Sequence, residues 1–268
     1  MDDEFVFQQD NRGPKGDVGP PGASESVAKL FSELNIDVDS PNSIPKDVLL
    51  NVCKSNSTSD KLPAALRWLI SIGADVNAKD EDDYTALIWL CREYHNNDKL
   101  LKAARILINS GIDAKAISKY GNTALTLLCR YNIENEQLLD VASLLIANGV
   151  DVNQKNSNGF NPLMVLSVWS SPKSDKTVID VARLLFASGI NTRATNKDGN
   201  NALMLLCERS TSEKLEEIVS LFISHGVDPK TKNYAGWTAA DFLRSRRDDI
   251  VNKTKILELL EKGVSVNE

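Results

Sequence analysis

Apolar and polar positions along this chain recur in a fixed order, with a period of 37 to 40 residues. The clearest copy begins at Thr123 with a short, almost wholly apolar run (TALTLLC), followed by an amphipathic run that ends at Gly149 and a polar stretch closed by Gly159. The first run predicts a helix buried on several sides, and the second has the 3.6-residue spacing of a helix with one buried face. Asp, Asn, Ser and Gly in the polar stretch predict a projecting hairpin.

A glycine ends the second apolar run of each copy, and successive glycines are 38, 38, 40, 37 and 37 residues apart. Asn35 takes this place in one earlier, partial copy, and asparagine is the usual substitute where a helix ends in a left-handed residue. A helix pair with a hairpin cannot bury its apolar faces alone, so the copies are expected to stack into one continuous core. The glycines are Gly73, Gly111, Gly149, Gly189, Gly226 and Gly263.

The repeated phrase resembles ankyrin repeats. Segments such as GNTALTLLC and GADVNAKDEDDYTALIWL are similar to the ankyrin pattern G-x-T-P-L-H-x-A-A, which is followed by an apolar second helix and G-A-D-V-N-A. The resemblance implies an all-α solenoid of stacked antiparallel helix pairs with projecting hairpin loops. The period is longer than the usual ~33 residues, and the surplus falls between the two helices. The ankyrin histidine is replaced by Ile88, Thr126, Met164, Met204 and Asp241.

Composition separates an N-terminal arm from the repeats. Residues 1–24 are acidic and contain the G-X-Y stretch GPKGDVGPPGAS, which is too short to form a collagen triple helix by itself. We expect this segment to be a disordered arm. The ankyrin-repeat domain is expected to span residues 25–268, with an N-terminal half-repeat at 25–43 and about six helix pairs in residues 44–268.

Charge and hydropathy limit the classes of partner. Residues 41–268 carry 28 acidic and 28 basic side chains, so the repeats lack the basic excess that a nucleic-acid binder needs. No apolar run has the length required to span a bilayer, and the acidic start does not resemble a signal peptide. We therefore expect a cytoplasmic monomer that binds neither nucleic acid nor membrane, and a nuclear location stays open.

The cysteines occupy equivalent positions in four of the copies. Neighbouring layers of helices lie roughly 8–10 Å apart, whereas a disulfide needs Cα atoms closer than about 7 Å. One thiol per layer is also too sparse a ligand set for a metal. The sequence contains no phosphate-loop, metalloprotease or dinucleotide motif, so we expect no catalytic residue and no cofactor. Buried, reduced thiols are predicted at Cys53, Cys91, Cys129 and Cys207.

The hairpin tips and the concave face are the expected binding surface. The first tip is acidic and the later tips carry lysine and arginine, and such a gradient would orient an elongated partner. Aromatic residues beside the tips are favoured interface anchors, but the same rings could instead wedge between adjacent hairpins. The residues expected to contact a partner are Asp80, Glu81, Asp82, Tyr84, Lys119, Tyr120, Phe160, Lys197 and Trp237.

Three functions fit these features. The first is a non-catalytic scaffold or adaptor that binds a protein partner through the hairpin tips and concave face. The second is a structural protein whose G-X-Y arm brings chains together, which light scattering of a chain lacking residues 1–24 would reveal. The third is a regulatory inhibitor that blocks an enzyme.

The ankyrin resemblance also implies a modification. Repeats of the type L…DVNA can be hydroxylated on the hairpin asparagine by an asparaginyl hydroxylase. Leu69, Asp75 and Val76 match this pattern here, which predicts hydroxylation of Asn77, and Asn153 matches less well.

Overall fold

The computed structural model describes residues 45–55, 61–93 and 99–262. Within these ranges the chain forms twelve α-helices and one short 3-10 helix, with no strand. The helices follow one another as six consecutive pairs, termed repeats 1 to 6. The expected arm at residues 1–24 and the half-repeat at 25–43 lie outside the described residues.

Every repeat contributes a first and a second helix. The first helices are α1 (Val48–Ser55), α3 (Ala86–Glu93), α5 (Ala124–Tyr131), α7 (Pro162–Trp169), α9 (Ala202–Arg209) and α11 (Ala239–Ser245). The second helices are α2 (Leu62–Ser71), α4 (Leu100–Asn109), α6 (Leu138–Ala147), α8 (Asp175–Ala187), α10 (Leu215–Ser224) and α12 (Lys253–Lys262). The 3-10 helix, Pro172–Ser174, directly precedes α8.

The first helices pack side by side from α1 to α11, and each also packs against the second helix of its own repeat. In α5 every residue from Ala124 to Cys129 is buried, as expected for a helix with neighbours on several sides. The second helix α6 buries only one face, formed by Leu138, Val141, Ala142 and Leu145. The predicted all-α architecture of stacked helix pairs is thus confirmed.

A threonine or asparagine side chain starts most of the first helices. The side-chain oxygens of Thr123, Asn161, Asn201 and Thr238 each accept a hydrogen bond from the backbone N–H three residues later. Such a cap satisfies an N–H group that has no partner within the helix, and it stabilises the helix by about 1 kcal/mol. At the other end of the pair, Gly149 stops α6 with a φ of 84°, as the sequence predicted.

The four cysteines lie in the core and are all free thiols, as predicted. Burial raises the pKa of Cys53, Cys129 and Cys207 to about 12. It raises the pKa of Cys91 still further, because the neighbouring thiols of Cys129 and Cys53 add to the effect of burial. These thiols therefore stay protonated in the folded chain.

The surplus residues between the two helices of a repeat join neighbouring repeats. The Asn132 side-chain amide donates to the Cys91 carbonyl of the preceding repeat at 2.6 Å, and the Ser170 hydroxyl donates to that of Ser210 at 2.7 Å. Arg246 donates to the Ser210 carbonyl at 2.6 Å. The longer period thus supplies hydrogen bonds along the inter-helix loops.

Candidate functional site

The five hairpins that follow α2, α4, α6, α8 and α10 are joined into a continuous surface, termed the hairpin edge (residues 73–85, 111–123, 149–161, 189–201 and 226–238). Each hairpin after the first donates one backbone N–H to a carbonyl of the hairpin before it. The four bonds run from Lys119 to Asp82 (2.9 Å), Ser157 to Tyr120 (2.7 Å), Lys197 to Asn158 (3.1 Å) and Tyr234 to Asp198 (3.1 Å).

A polar side chain inside each hairpin holds its turn. Oδ1 of Asp80 accepts the backbone N–H groups of Asp82 and Tyr84, at 3.0 and 2.9 Å. Its Oδ2 accepts the indole N–H of Trp89 at 2.8 Å. Both carboxylate oxygens of Asp80 therefore bond within the fold, and its contact with a partner stays a prediction. Asn156, Asn196 and Asn233 take the same turn position in later hairpins.

The predicted aromatic anchors differ in exposure. Tyr84 is 5% exposed and its ring lies 4.9 Å from that of Trp89. Burial also raises the pKa of Tyr84, and its hydroxyl contacts the Asn122 side chain of the next hairpin. The expectation that Tyr84 contacts a partner is wrong, since the ring wedges between hairpins. Tyr120 and Trp237, in contrast, are 51% and 42% exposed.

The other predicted residues of the hairpin edge are exposed and close to one another in the first two hairpins. The Lys119 ammonium donates to the Glu81 carbonyl, and the Tyr120 hydroxyl donates to Oδ1 of Asp82 at 3.3 Å. Lys197 is exposed two hairpins further along. This group stays a predicted contact surface for a partner.

Asn77 bridges two hairpins. Its side-chain N–H donates to the Gly111 carbonyl at 3.1 Å, and its Oδ1 accepts the Asp113 N–H at 2.7 Å. Asn153 makes the equivalent bonds to the following hairpin, at 3.1 and 2.6 Å. Hydroxylation of the exposed Asn77 stays a prediction, and mass spectrometry of protein from its native source should find one added oxygen on that residue.

A groove of about 300 Å³ lies between the hairpin edge and the first helices of repeats 3 to 5. Its apolar lining comes from Leu127, Val165 and Leu205, which are equivalent positions of α5, α7 and α9. Phe160, one of the predicted contacts, also lines the groove. The hairpin side of the groove is formed by the Asp198 carboxylate and by the side-chain amides of Asn122, Asn156, Asn158, Asn196 and Asn200.

Trp169 and Arg130 lie at the ends of the helices that form this groove. The Trp169 side chain is 48% exposed at the last position of α7. The Arg130 guanidinium lies 5.5 Å from the centre of the Trp169 ring and 5.1 Å from that of Tyr131. Trp169 thus places a large exposed aromatic ring beside a cation at a groove whose lining is both apolar and polar, and exposed aromatic rings are favoured in binding hot spots.

Cations occupy the same position in the first three repeats. Lys54, Arg92 and Arg130 each directly follow a cysteine and are 38 residues apart. The Lys54 ammonium lies 4.7 Å from the Trp89 ring centre, and the Arg92 guanidinium lies 4.9 Å from it on the same ring. We term Lys54, Arg92 and Arg130 the inner-face cations. The sequence interpretation missed them, although the recurring pair of a cysteine and a basic residue could have identified the series.

No three His, Cys, Asp or Glu side chains among residues 45–55, 61–93 and 99–262 are grouped so that they could hold a metal ion. None of the helices described is long and apolar enough to cross a membrane.

Comparison with known proteins finds ankyrin repeats in part of the chain and a similar fold in a solved structure. Residues 52–156 match a family model for ankyrin repeats, in three copies. The crystal structure of the ankyrin repeat domain of Bcl-3, described as a unique member of the IkappaB protein family, aligns with a TM-score of 0.56. The two are 23% identical, over 87% of this chain and 91% of that one. A search of curated proteins gives no match. The chain therefore contains ankyrin repeats at residues 52–156, and its fold is similar to that of an ankyrin-repeat domain.

Proposed function

We propose that this protein is a non-catalytic adaptor that binds a protein partner along its inner face, the surface formed by the hairpins and the exposed sides of the first helices. Ankyrin repeats generally mediate protein–protein interaction, and the fold is typically non-catalytic. We place the activity in the cytoplasm, where free thiols such as that of Cys91 persist. A wider scaffold role, with several partners on one chain, belongs to the same proposal.

The groove beside Trp169 is the observation that carries this proposal. The apolar sides of both helix rows are buried in the stack, and the hairpins use much of their polar chemistry to bond to one another. Trp169 is instead half exposed, beside the apolar side chains of Leu127, Val165 and Leu205 that line the groove. Aromatic rings in such positions commonly supply much of the binding free energy of an interface.

Partner recovery from native cell extract tests the proposal. Trp169→Ala should reduce recovery of the specific partner about tenfold or more, because truncating a hot-spot residue costs roughly 2 kcal/mol or more. Val251→Ala is the matched control, since Val251 is also an exposed apolar side chain (60%) but lies in the loop before α12. If Trp169→Ala binds normally while Tyr120→Ala abolishes recovery, the groove is not the site and the partner binds the hairpin edge. The proposal of an inner-face adaptor fails if neither variant changes recovery.

A further inference from the structure

The inner-face cations form a series at one position of three successive first helices. Each is the seventh residue of its first helix, in α1, α3 and α5. Among the residues that the structure describes, Lys54 and Arg130 form no ion pair with a carboxylate. Arg92 pairs through Nε with Glu93 at 3.1 Å. A row of cations with so little internal compensation favours an anionic ligand.

Aromatic rings hold these cations in place. Trp89 is buried and lies in contact with the head groups of both Lys54 and Arg92. The Arg130 guanidinium likewise lies over the rings of Tyr131 and Trp169. A cation above a ring keeps its charge and loses some of its conformational freedom, so less entropy is lost when a carboxylate binds to it.

From these observations we propose that the inner-face cations bind an acidic, extended peptide segment of the partner that presents one carboxylate to each of repeats 1, 2 and 3. The inference rests on the proposed function, because it names the chemistry of the partner on the same inner face.

The spacing of the repeats defines the sequence pattern of this segment. Packed helices lie roughly 8–10 Å apart, and this sets the separation between successive inner-face cations. A polyproline II segment has three residues per turn and rises about 3.1 Å per residue, or about 9 Å per turn. Acidic residues at every third position would therefore lie on one side of the peptide, and each would meet the cation of one repeat.

The series ends where the groove begins. Repeats 4 and 5 have Val168 and Glu208 at the cation position, and Glu208 pairs with Arg209 at 3.5 Å. Arg130 is the last cation of the series and also lines the groove. The acidic part of the partner is thus expected over repeats 1 to 3, and an adjoining part in the groove over repeats 3 to 5.

Synthetic peptides test this proposal directly. The probe is a fluorescein-labelled, proline-rich peptide with glutamate at every third position, and binding is followed by fluorescence anisotropy at low salt. Simultaneous replacement of Lys54, Arg92 and Arg130 by glutamine should weaken binding about tenfold, because three exposed ion pairs together contribute roughly 1–2 kcal/mol. The matched control replaces Lys102, Arg105 and Arg183, exposed cations of the second helices, and should change binding less than about twofold.

Peptide controls separate register from charge alone. A peptide of the same composition with contiguous glutamates should bind several-fold more weakly, and equal binding of the two would overturn the one-per-repeat arrangement. If the inner-face variant binds the probe as the unmodified protein does, the acidic-segment proposal is wrong. The proposed function would still stand in that case, provided that the native partner depends on Trp169. Circular dichroism of each variant checks that lost binding does not reflect unfolding. The single variant Lys54→Gln provides a milder change of the same surface.

Discussion

The hairpin edge and the row of first-helix ends face the same side of the protein but differ in what their polar residues do. On the hairpin edge, the side chains of Asp80, Asn77 and Asn153 hold turns or bond to the next hairpin. At the helix ends, Lys54 and Arg130 contact aromatic rings and retain exposed charge. The hairpins are rich in polar residues typical of a binding loop, yet many of these residues form hydrogen bonds that stabilise the solenoid.

Position in the repeat, more than residue type, separates structural residues from those available for recognition. An acid at the turn position of a hairpin meets two or more backbone N–H groups and becomes part of the fold. A cation in the last turn of a first helix meets the ends of helix carbonyls and solvent, and it is available to a ligand.

The largest expected effect is on the alkylation rate of the cysteines, each of which lies one residue before an inner-face cation or the equivalent position. A thiol whose pKa is raised from 9.0 to about 12, as at Cys53 and Cys129, has about a thousandfold less reactive thiolate near pH 8. Native protein should therefore resist alkylation, whereas urea-unfolded protein should label at all four cysteines, as read by mass spectrometry. Rapid native labelling of Cys129 would contradict its burial beside the exposed Arg130.

The same pKa values predict a loss of stability in alkali. The unfolded thiols ionise near pH 9, whereas the folded ones ionise only near pH 12, so the folded chain holds more protons between these values. The stabilising contribution is complete below pH 9 and decreases as the pH rises toward 12. A Cys207→Ser variant should show a smaller decrease in unfolding midpoint over this range.

The next largest effect should come from the hairpin edge, at Gly159. Its φ is 80°, and a Cβ there would lie 2.9 Å from the Lys197 nitrogen and 3.0 Å from the Asn196 Cα. Gly159→Ala should lower the free energy of unfolding by about 3 kcal/mol, through backbone strain and the lost hairpin contact. Gly236 has a φ of 81° with no atom within 4 Å of such a Cβ, so Gly236→Ala should cost only about 1 kcal/mol. If the two variants lower the free energy of unfolding equally, as measured by urea unfolding, the contact of Gly159 with the next hairpin contributes little to stability.

A smaller loss of stability is expected from substitutions of Asp80, which test the hydrogen bonds of the hairpin turn. Asp80→Ala removes the acceptor of two backbone N–H groups and of the Trp89 indole, and should lower the free energy of unfolding by about 1–3 kcal/mol. Asp80→Asn should retain most of the stability, because Asn156 forms the same turn with its amide oxygen. Glu81→Ala serves as the exposed neighbour, with an expected change within about 0.5 kcal/mol. Equal stability of the alanine variants at positions 80 and 81 would contradict the structural role of Asp80.

The period and the buried positions could be predicted from sequence because every copy repeats them. The left-handed glycine at position 149 and the thiol of Cys129 follow from a helix end and a core slot that recur in each repeat. These features depend on local backbone geometry and on burial, both of which a periodic pattern reports. The identity of the fold was therefore accessible from the sequence.

The candidate site was less accessible, because it depends on contacts between repeats. The hairpin context of Asp80 and Tyr84 predicts surface residues, whereas in the structure Asp80 bonds to the Trp89 indole and the Tyr84 ring packs on that of Trp89. Trp169 could equally have been a buried residue at the end of an apolar helix. Its exposure follows from the alignment of α5, α7 and α9 along the groove. A pattern of apolar and polar positions along the sequence does not contain this alignment.

The smallest effect on stability, and the sharpest test of which surface recognises the partner, concerns the two exposed acids of the first hairpin. Replacing Glu81 and Asp82 together by lysine should change the free energy of unfolding by no more than about 0.5 kcal/mol. Glu134 and Glu136, exposed in the inter-helix loop of repeat 3, provide a control with the same change in net charge.

The two surfaces predict opposite signs for the rate of association with the native partner. If the hairpin edge binds a basic part of the partner, reversal of Glu81 and Asp82 removes attraction and slows association. If the inner-face cations bind an acidic segment, the same reversal removes repulsion on that side of the protein and accelerates association. Either change should diminish as salt is raised from 0.05 to 0.3 M, because the Debye length shortens to a few ångströms. We expect acceleration; slower association, with the Glu134 and Glu136 control unchanged, would place recognition on the hairpin edge instead of the helix ends.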